Sequence, residues 1–307
     1  MPATFRHLVG RSTLTQGIAI RRDFEEWFDA PPKGEARSIT LAYGPEQSSV
    51  EVVLRRVNNE SGSVQIRYQS RRQKPFREWL SATFDPADRA HNPLLLELHK
   101  IGEDAYRVAP LLRDDRGNLH LCLGPALYHN NAASLERQTP VFQDISEAIS
   151  AIPVAPGVGQ AHYNEQIRQQ FVARGWSCNE PVVPELPLRS DFKRGDVQVE
   201  VEFGNARSYY QDYLKFLLPF TRGIIRIGVL LVPTTDFARL LCMMGTRRAV
   251  ERANRAGVSL TRPPKYSGMI TYEKVEREFE PLRFVLNMPL VVRGVDFWGG
   301  CSAGPTR

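Results

Sequence analysis

The sequence predicts a two-part α/β protein: a first half built mainly of β-strands and a second half in which helices and strands alternate. Three observations carry this expectation. Short apolar or alternating runs crowd residues 38–111 between turn signals. Helical and strand periods take turns from about residue 160 onward. Between the halves, the stretch from Ser150 to Ala161 is uncharged and rich in proline and glycine, the composition of a connection. The expected domains are therefore residues 1–150 and 151–307.

In the first half, Ser38–Tyr43, Ser49–Val57, Gly62–Tyr68, Leu94–Ile101 and Tyr106–Leu111 read as strands. Gly44-Pro45, Asn58-Asn59, Asp85-Pro86, Gly102 to Asp104 and Asp114 to Gly117 separate them. Phe76–Phe84 reads as a short helix, and another is expected near Phe142–Ala151. Closely spaced strands of this kind point to a barrel or sandwich. In the second half, Tyr163–Arg174 places Ile167, Phe171 and Val172 at helical spacing, with Gly175 as its stop. Gln198–Phe203 alternates as a strand does. Ala206–Thr221 reads as a helix with Tyr209, Tyr210, Tyr213, Leu214, Leu217 and Leu218 on its apolar side. Ile224–Val232, ended by Pro233, suits a buried strand.

The chain has 307 residues and a net charge of +6. Residues 1–150 hold 19 basic and 19 acidic side chains, leaving 21 and 15 of the 40 and 34 to the rest. The surplus lies wholly in the second half and agrees with a polyanionic partner. No apolar run approaches the roughly 20 residues of a membrane span. The N-terminus has no charged start followed by an apolar stretch, so the expected location is the cytoplasm. Cys122, Cys178, Cys242 and Cys301 lie far apart, against a zinc site or a disulfide framework. The six histidines do not cluster, and no glycine-rich phosphate loop is present, so no nucleotide cofactor is expected.

The informative stretch runs from Ser190 to Asn205. Side chains alternate along a strand, so Glu200 and Glu202 share one face while Val199, Val201 and Phe203 share the other. Two neighbouring carboxylates repel, and a divalent cation between them removes the penalty. Asp191 precedes Glu200 across a turn at Arg194-Gly195-Asp196. A hairpin there returns the chain beside Asp191, and three carboxylates then converge on one hard cation. The same spacing also fits an exposed hairpin face bearing ordinary surface acids.

Asp191, then Glu200-Val-Glu202-Phe-Gly-Asn205, then Tyr210, Asp212 and Lys215-Phe216, then Ile227 to Pro233, resemble the catalytic core of BglII/BamHI-type restriction endonucleases of the PD-(D/E)xK superfamily. The likeness spans residues 160–235. It implies Mg²⁺ held by Asp191 and Glu200. Glu202 stands where the superfamily usually has lysine, in keeping with the BglII/BamHI-like branch, and its carboxylate would orient or deprotonate the attacking water. The superfamily often adds an acid from the preceding helix; Glu165 is the candidate and Asn164 the runner-up. The resemblance also places Lys215 near the site, although Asp212 and Lys215 at i,i+3 also suit a surface ion pair.

Arg55, Arg56, Arg67, Arg71, Arg72, Lys74 and Arg77 crowd one window with Tyr68 and Trp79. They suit a phosphate-gripping face, or equally a solvated β surface. Residues 10–125 resemble the N-terminal DNA-binding pseudobarrel of EcoRII-type enzymes, through Leu54 to Asn59, Val64 to Tyr68 and Phe76 to Leu80. That likeness adds Arg21 and Arg22 as DNA contacts. Arg247, Arg248, Arg252 and Arg255 recur at helical spacing, followed by Arg262 and Lys265, and suit phosphates or a solvated helix. Together the resemblances imply a type II restriction endonuclease acting on double-stranded DNA as a homodimer. A modification-dependent nuclease and a non-cleaving DNA-binding regulator are the alternatives.

Overall fold

The computed structural model describes residues 4–9, 11–58, 62–84, 95–111, 119–155, 158–204, 209–257 and 269–298. The chain forms two compact units, Met1–Leu111 and Leu112–Arg307.

The first unit holds β1 (Thr4–Leu8), α1 (Arg11–Thr15), β2 (Gly17–Ile20), β3 (Ala36–Tyr43), β4 (Ser48–Arg56), β5 (Val64–Arg67), α2 (Lys74–Thr83), β6 (Leu95–Lys100) and β7 (Ala105–Pro110). One seven-stranded sheet runs in the order β1-β6-β7-β3-β4-β5-β2. All its pairs are antiparallel except β3 with β7. Alternation decides which face is apolar: Val50, Val52 and Leu54 of β4 are buried while Glu51, Val53 and Arg55 are exposed. Phe5 of edge strand β1 and Ile18 of edge strand β2 enter the same core cluster as Leu41, Ile66 and Phe76. A sheet whose two edges share one core is curled into a nearly closed barrel.

The second unit holds β8 (His120–His129), α3 (Ala132–Gln138), α4 (Val141–Ser150), α5 (Gln160–Ala173), β9 (Ser177–Cys178), β10 (Phe192–Arg194), β11 (Val197–Val201), α6 (Tyr209–Thr221), β12 (Ile227–Pro233), α7 (Thr235–Arg255), α8 (Tyr272–Leu282) and β13 (Leu290–Trp298). Its six-stranded sheet has the order β8-β13-β12-β11-β10-β9. The central strands β11, β12 and β13 are parallel, and β8 and β10 flank them antiparallel. Every residue of β12 is buried, as its unbroken apolar run demands of a strand covered on both faces. Phe192 of β10 stacks on Phe171 of α5, 4.4 Å between ring centroids. Tyr209, Tyr213 and Phe216 of α6 join Val275 and Phe279 of α8 in a separate cluster with Leu230 and Val232 of β12.

The boundary expected at residue 150 is corrected. Strand β8 and helices α3 and α4 belong to the second unit, which begins near Leu112. Gly124-Pro125 interrupts the β8 pattern, so the sequence shows no strand there. As an edge strand beside a register irregularity between Arg293 and Val295, β8 tolerates a proline. Strands β1, β2 and β13 and helix α8 were also not expected. The apolar side of α6 differs from expectation too: Tyr210 and Leu214 are exposed, while Tyr209, Tyr213 and Phe216 are buried.

Candidate active site

The β10–β11 hairpin turns at Gly195, whose φ of +60° suits a residue without a Cβ. Phe192 pairs with Val199 and Arg194 with Val197. Continued by one residue, this register sets Asp191 opposite Glu200, on the same face of the sheet. Asp191 accepts a hydrogen bond through Oδ2 from the Val201 amide at 2.8 Å, which ties its carboxylate to the end of β11. The structure thus brings Asp191 and Glu200 together.

Glu200 is fully buried. Its Oε1 accepts from Gln198 Nε2 at 2.8 Å and its Oε2 from Lys215 Nζ at 2.8 Å. The same ammonium lies 3.0 Å from Asp212 Oδ1. Lys215 and Asp212 come from α6, which packs over this face. Positions 209, 212, 213 and 216 fall on one side of a helix, so Asp212 turns inward with Tyr209, Tyr213 and Phe216. The sequence reading missed Asp212 as part of the site. Its signal was an acid on the buried stripe of an amphipathic helix.

The charges are under strain. Burial, and then the neighbouring Asp191, push the Glu200 carboxyl up to about 8 despite the opposing Lys215 ammonium. Burial also raises Asp191, against the Val201 hydrogen bond and Lys215, and lifts Asp212 to about 6. Burial lowers Lys215, but Glu200 and Asp212 outweigh it and hold the ammonium well above its usual range. These carboxylates are short of positive charge.

Glu202 lies just beyond β11, and its amide donates to the Leu231 carbonyl at 2.9 Å. Its Oε1 accepts from the Gly204 amide at 2.7 Å. A Cβ on Gly204 would lie 2.8 Å from that oxygen, so a larger residue there must shift the Glu202 carboxylate. Gln160, the first residue of α5, braces the loop: its amide donates to the Phe203 carbonyl and accepts from the Gly204 amide, at 3.3 and 3.1 Å.

Glu165, the acid expected from the preceding helix, has other partners in the structure. It is exposed on α5 and bonded to Arg168 at 2.7 and 2.8 Å and to Gln169 at 2.8 Å. Asn164 is exposed as well. Gln160 is the residue of α5 that reaches the loop carrying Glu202. Asn205 lies outside the described residues.

The donors suit a hard divalent cation. Mg²⁺ commonly takes one or two carboxylates and fills its octahedron with water and phosphate oxygens. Asp191 and Glu200 supply those two carboxylates. Among the described residues no group of three His, Cys, Asp or Glu forms a ready cage. The expected convergence of three carboxylates thus becomes a facing pair, with Glu202 held on its own loop.

The basic residues divide. Arg21 stacks over Phe24, its guanidinium carbon 4.5 Å from the ring centroid. Arg67 Nε donates to Gln65 at 3.2 Å, and Arg77 donates to the Tyr68 and Ser70 carbonyls, bracing the loop before α2. Arg56 is tied to Glu25 and to the Pro31 carbonyl, both at 2.8 Å. Arg22, Arg55, Arg71 and Arg72 are exposed, as is Lys74, 3.4 Å from Glu78. Lys215, which the resemblance places near the site, faces the carboxylates of Glu200 and Asp212. Arg247 and Arg248 sit on α7, but their side chains, like Arg262 and Lys265, lie outside the described residues.

A family model described as restriction endonuclease BglII/BglIII matches residues 126–295. Among solved structures, the chain is similar to one described as the crystal structure of restriction endonuclease BglII complexed with a DNA 16-mer. The identity is 14%, over 55% of this chain and 74% of that one, with a TM-score of 0.38. No curated protein matches.

Proposed function

The chain belongs to the BglII/BglIII restriction endonuclease family, and from that premise we propose that it cuts double-stranded DNA at a specific sequence, using Mg²⁺ held by Asp191 and Glu200. Membership makes it a site-specific deoxyribonuclease, a hydrolase; the metal, the residues and the partner are the proposal. The observation that carries it is the facing of Asp191 and the fully buried Glu200 across one hairpin, with too little positive charge around them. The single Lys215 ammonium beside them is shared with Asp212, so a further cation between Asp191 and Glu200 would relieve the pair.

In this reading Asp191 is fixed by the Val201 amide and Glu200 by Gln198 and Lys215. Bound Mg²⁺ supplies charge neutralisation at the phosphate and makes water a better nucleophile. Glu202, held by the Gly204 amide, orients the attacking water and takes its proton. The barrel of the first unit binds DNA through exposed Arg22, Arg55, Arg71 and Arg72. A homodimer matches the two-fold symmetry of a palindromic site.

The test is digestion of methylated and unmethylated copies of one DNA library, with Mg²⁺ or EDTA, followed by sequencing of the ends. Defined ends from unmethylated DNA, with Mg²⁺ only, are expected. Cutting restricted to methylated DNA would make the enzyme modification-dependent, and cutting in EDTA would remove the metal.

Metal binding has a pH signature. Glu200 at about 8 and Asp212 at about 6 are neutral below those values and anionic above them. Protons therefore compete with the metal at low pH. Apparent Mg²⁺ affinity, read by calorimetry, is expected to climb as pH rises from about 6 to about 8 and then level off. Affinity independent of pH across that interval would remove Glu200 from the ligands.

A further inference from the structure

Lys215 carries its charge inward. Its side chain is 17% exposed, and its ammonium lies between Glu200 and Asp212, 2.8 and 3.0 Å away. Its backbone carbonyl accepts from Gln198 Nε2 at 3.1 Å, and that same nitrogen donates to Glu200 Oε1. Both oxygens of Glu200 are thus held by groups tied to one residue of α6. Asp212, three residues earlier, grips the ammonium from its other side.

Stability alone gives this arrangement little reason. Burying an ammonium and two carboxylates costs hydration that their attraction only partly returns, and apolar residues of similar size often do as well. Ordering a lysine side chain costs further rotamer entropy. The arrangement does, however, fix one carboxylate very closely. Strand position 202 bears an acid, so the positive charge beside Glu200 comes from the neighbouring helix instead.

We propose that Lys215 is a positioning residue for DNA cleavage: anchored by Asp212, its ammonium fixes the Glu200 carboxylate in the orientation in which it takes up the metal. The inference rests on the reading that Asp191 and Glu200 hold that metal. Groups that orient a metal ligand from behind typically govern affinity or activity by 10- to 100-fold.

The test uses the full chain with Lys215→Met, Lys215→Arg, Asp212→Asn and Glu200→Ala. Three quantities are read: Mn²⁺ affinity by electron paramagnetic resonance without DNA, single-turnover cleavage at saturating DNA, and DNA affinity in EDTA. For Lys215→Met the expectation is Mn²⁺ affinity about tenfold weaker and cleavage about 100-fold slower, with DNA affinity within about twofold. Lys215→Arg is expected to recover most of both losses, which a merely space-filling lysine would not show. Should Lys215→Met not fold, Asp212→Asn reads the same question, with Mn²⁺ affinity and cleavage both expected to drop about tenfold. Native-like Mn²⁺ affinity and cleavage in the folded variant, or an arginine variant as impaired as methionine, overturns the proposal. Glu200→Ala separates the failures. If it retains metal and activity, the metal site itself is wrong; if it loses both while Lys215→Met behaves as native, only the role of Lys215 falls.

Discussion

Glu200→Ala is expected to lower Mg²⁺-dependent cleavage by at least about 10³-fold, or about 4 kcal/mol of transition-state stabilisation, while leaving DNA binding in EDTA within about twofold. The carboxylate lies at the centre of the candidate site, and among the described residues its acidic neighbours are already engaged. Asp191 is committed to the Val201 amide, and Asp212 to Lys215. The substitution also removes one partner of a buried ion pair, which commonly costs about 3–5 kcal/mol when the remaining charge is stranded. Here Lys215 keeps Asp212 at 3.0 Å, so a smaller loss is expected. Melting curves and filter binding separate loss of fold from loss of chemistry. Glu200→Gln keeps the side chain's shape and provides the second measurement. A folded, DNA-binding Glu200→Ala protein that cuts at the native rate would refute the site.

Gly228→Val is expected to have the next largest effect, through the fold rather than the chemistry. Gly228 pairs with Gln198 across β11 and β12. A Cβ there would lie 2.7 Å from the Phe216 ring and 3.0 Å from the Met288 methyl. Helix α6 approaches the sheet this closely only over a glycine. A branched side chain must push Phe216 outward, and Lys215 is its neighbour in the chain. Overpacking of this kind costs about 1–3 kcal/mol. Displacing α6 also pulls the Lys215 ammonium from Glu200, and misplacement by about 1 Å costs cleavage about 10²-fold. Thermal melting and single-turnover kinetics on the same preparation check both parts. A stable, fully active Gly228→Val protein would show that the approach of α6 does not matter.

Much of the candidate site was legible because it is local. The hairpin that faces Asp191 with Glu200 follows from a two-residue side-chain period and a turn glycine. The burial of β12 follows from an unbroken apolar run, and all five strands expected in the first half begin and end within two residues of β3, β4, β5, β6 and β7. The partners of Glu165 and Arg21 were not legible for a shared reason. Residue type and spacing place a side chain on an element without saying which neighbour claims it, and Arg168 claims the one while the face of Phe24 claims the other. Asp212 and Lys215 were seen as a pair at i,i+3, but a pair on a helix looks the same whether that face meets water or a sheet.

By itself, then, the sequence determined a strand-rich first part, an alternating second part and an acidic hairpin, since each is written in periods of two or 3.6 residues within a short window. Only the tertiary structure decided that β8 crosses to pair with β13, residue His120 with Trp298, and so moves the boundary from 150 to near 112. Only it decided that α6 lays Lys215 and Asp212 over Glu200. Both depend on which surfaces bury the most apolar area against one another across long separations in the chain, a sum over the whole core that no local pattern contains.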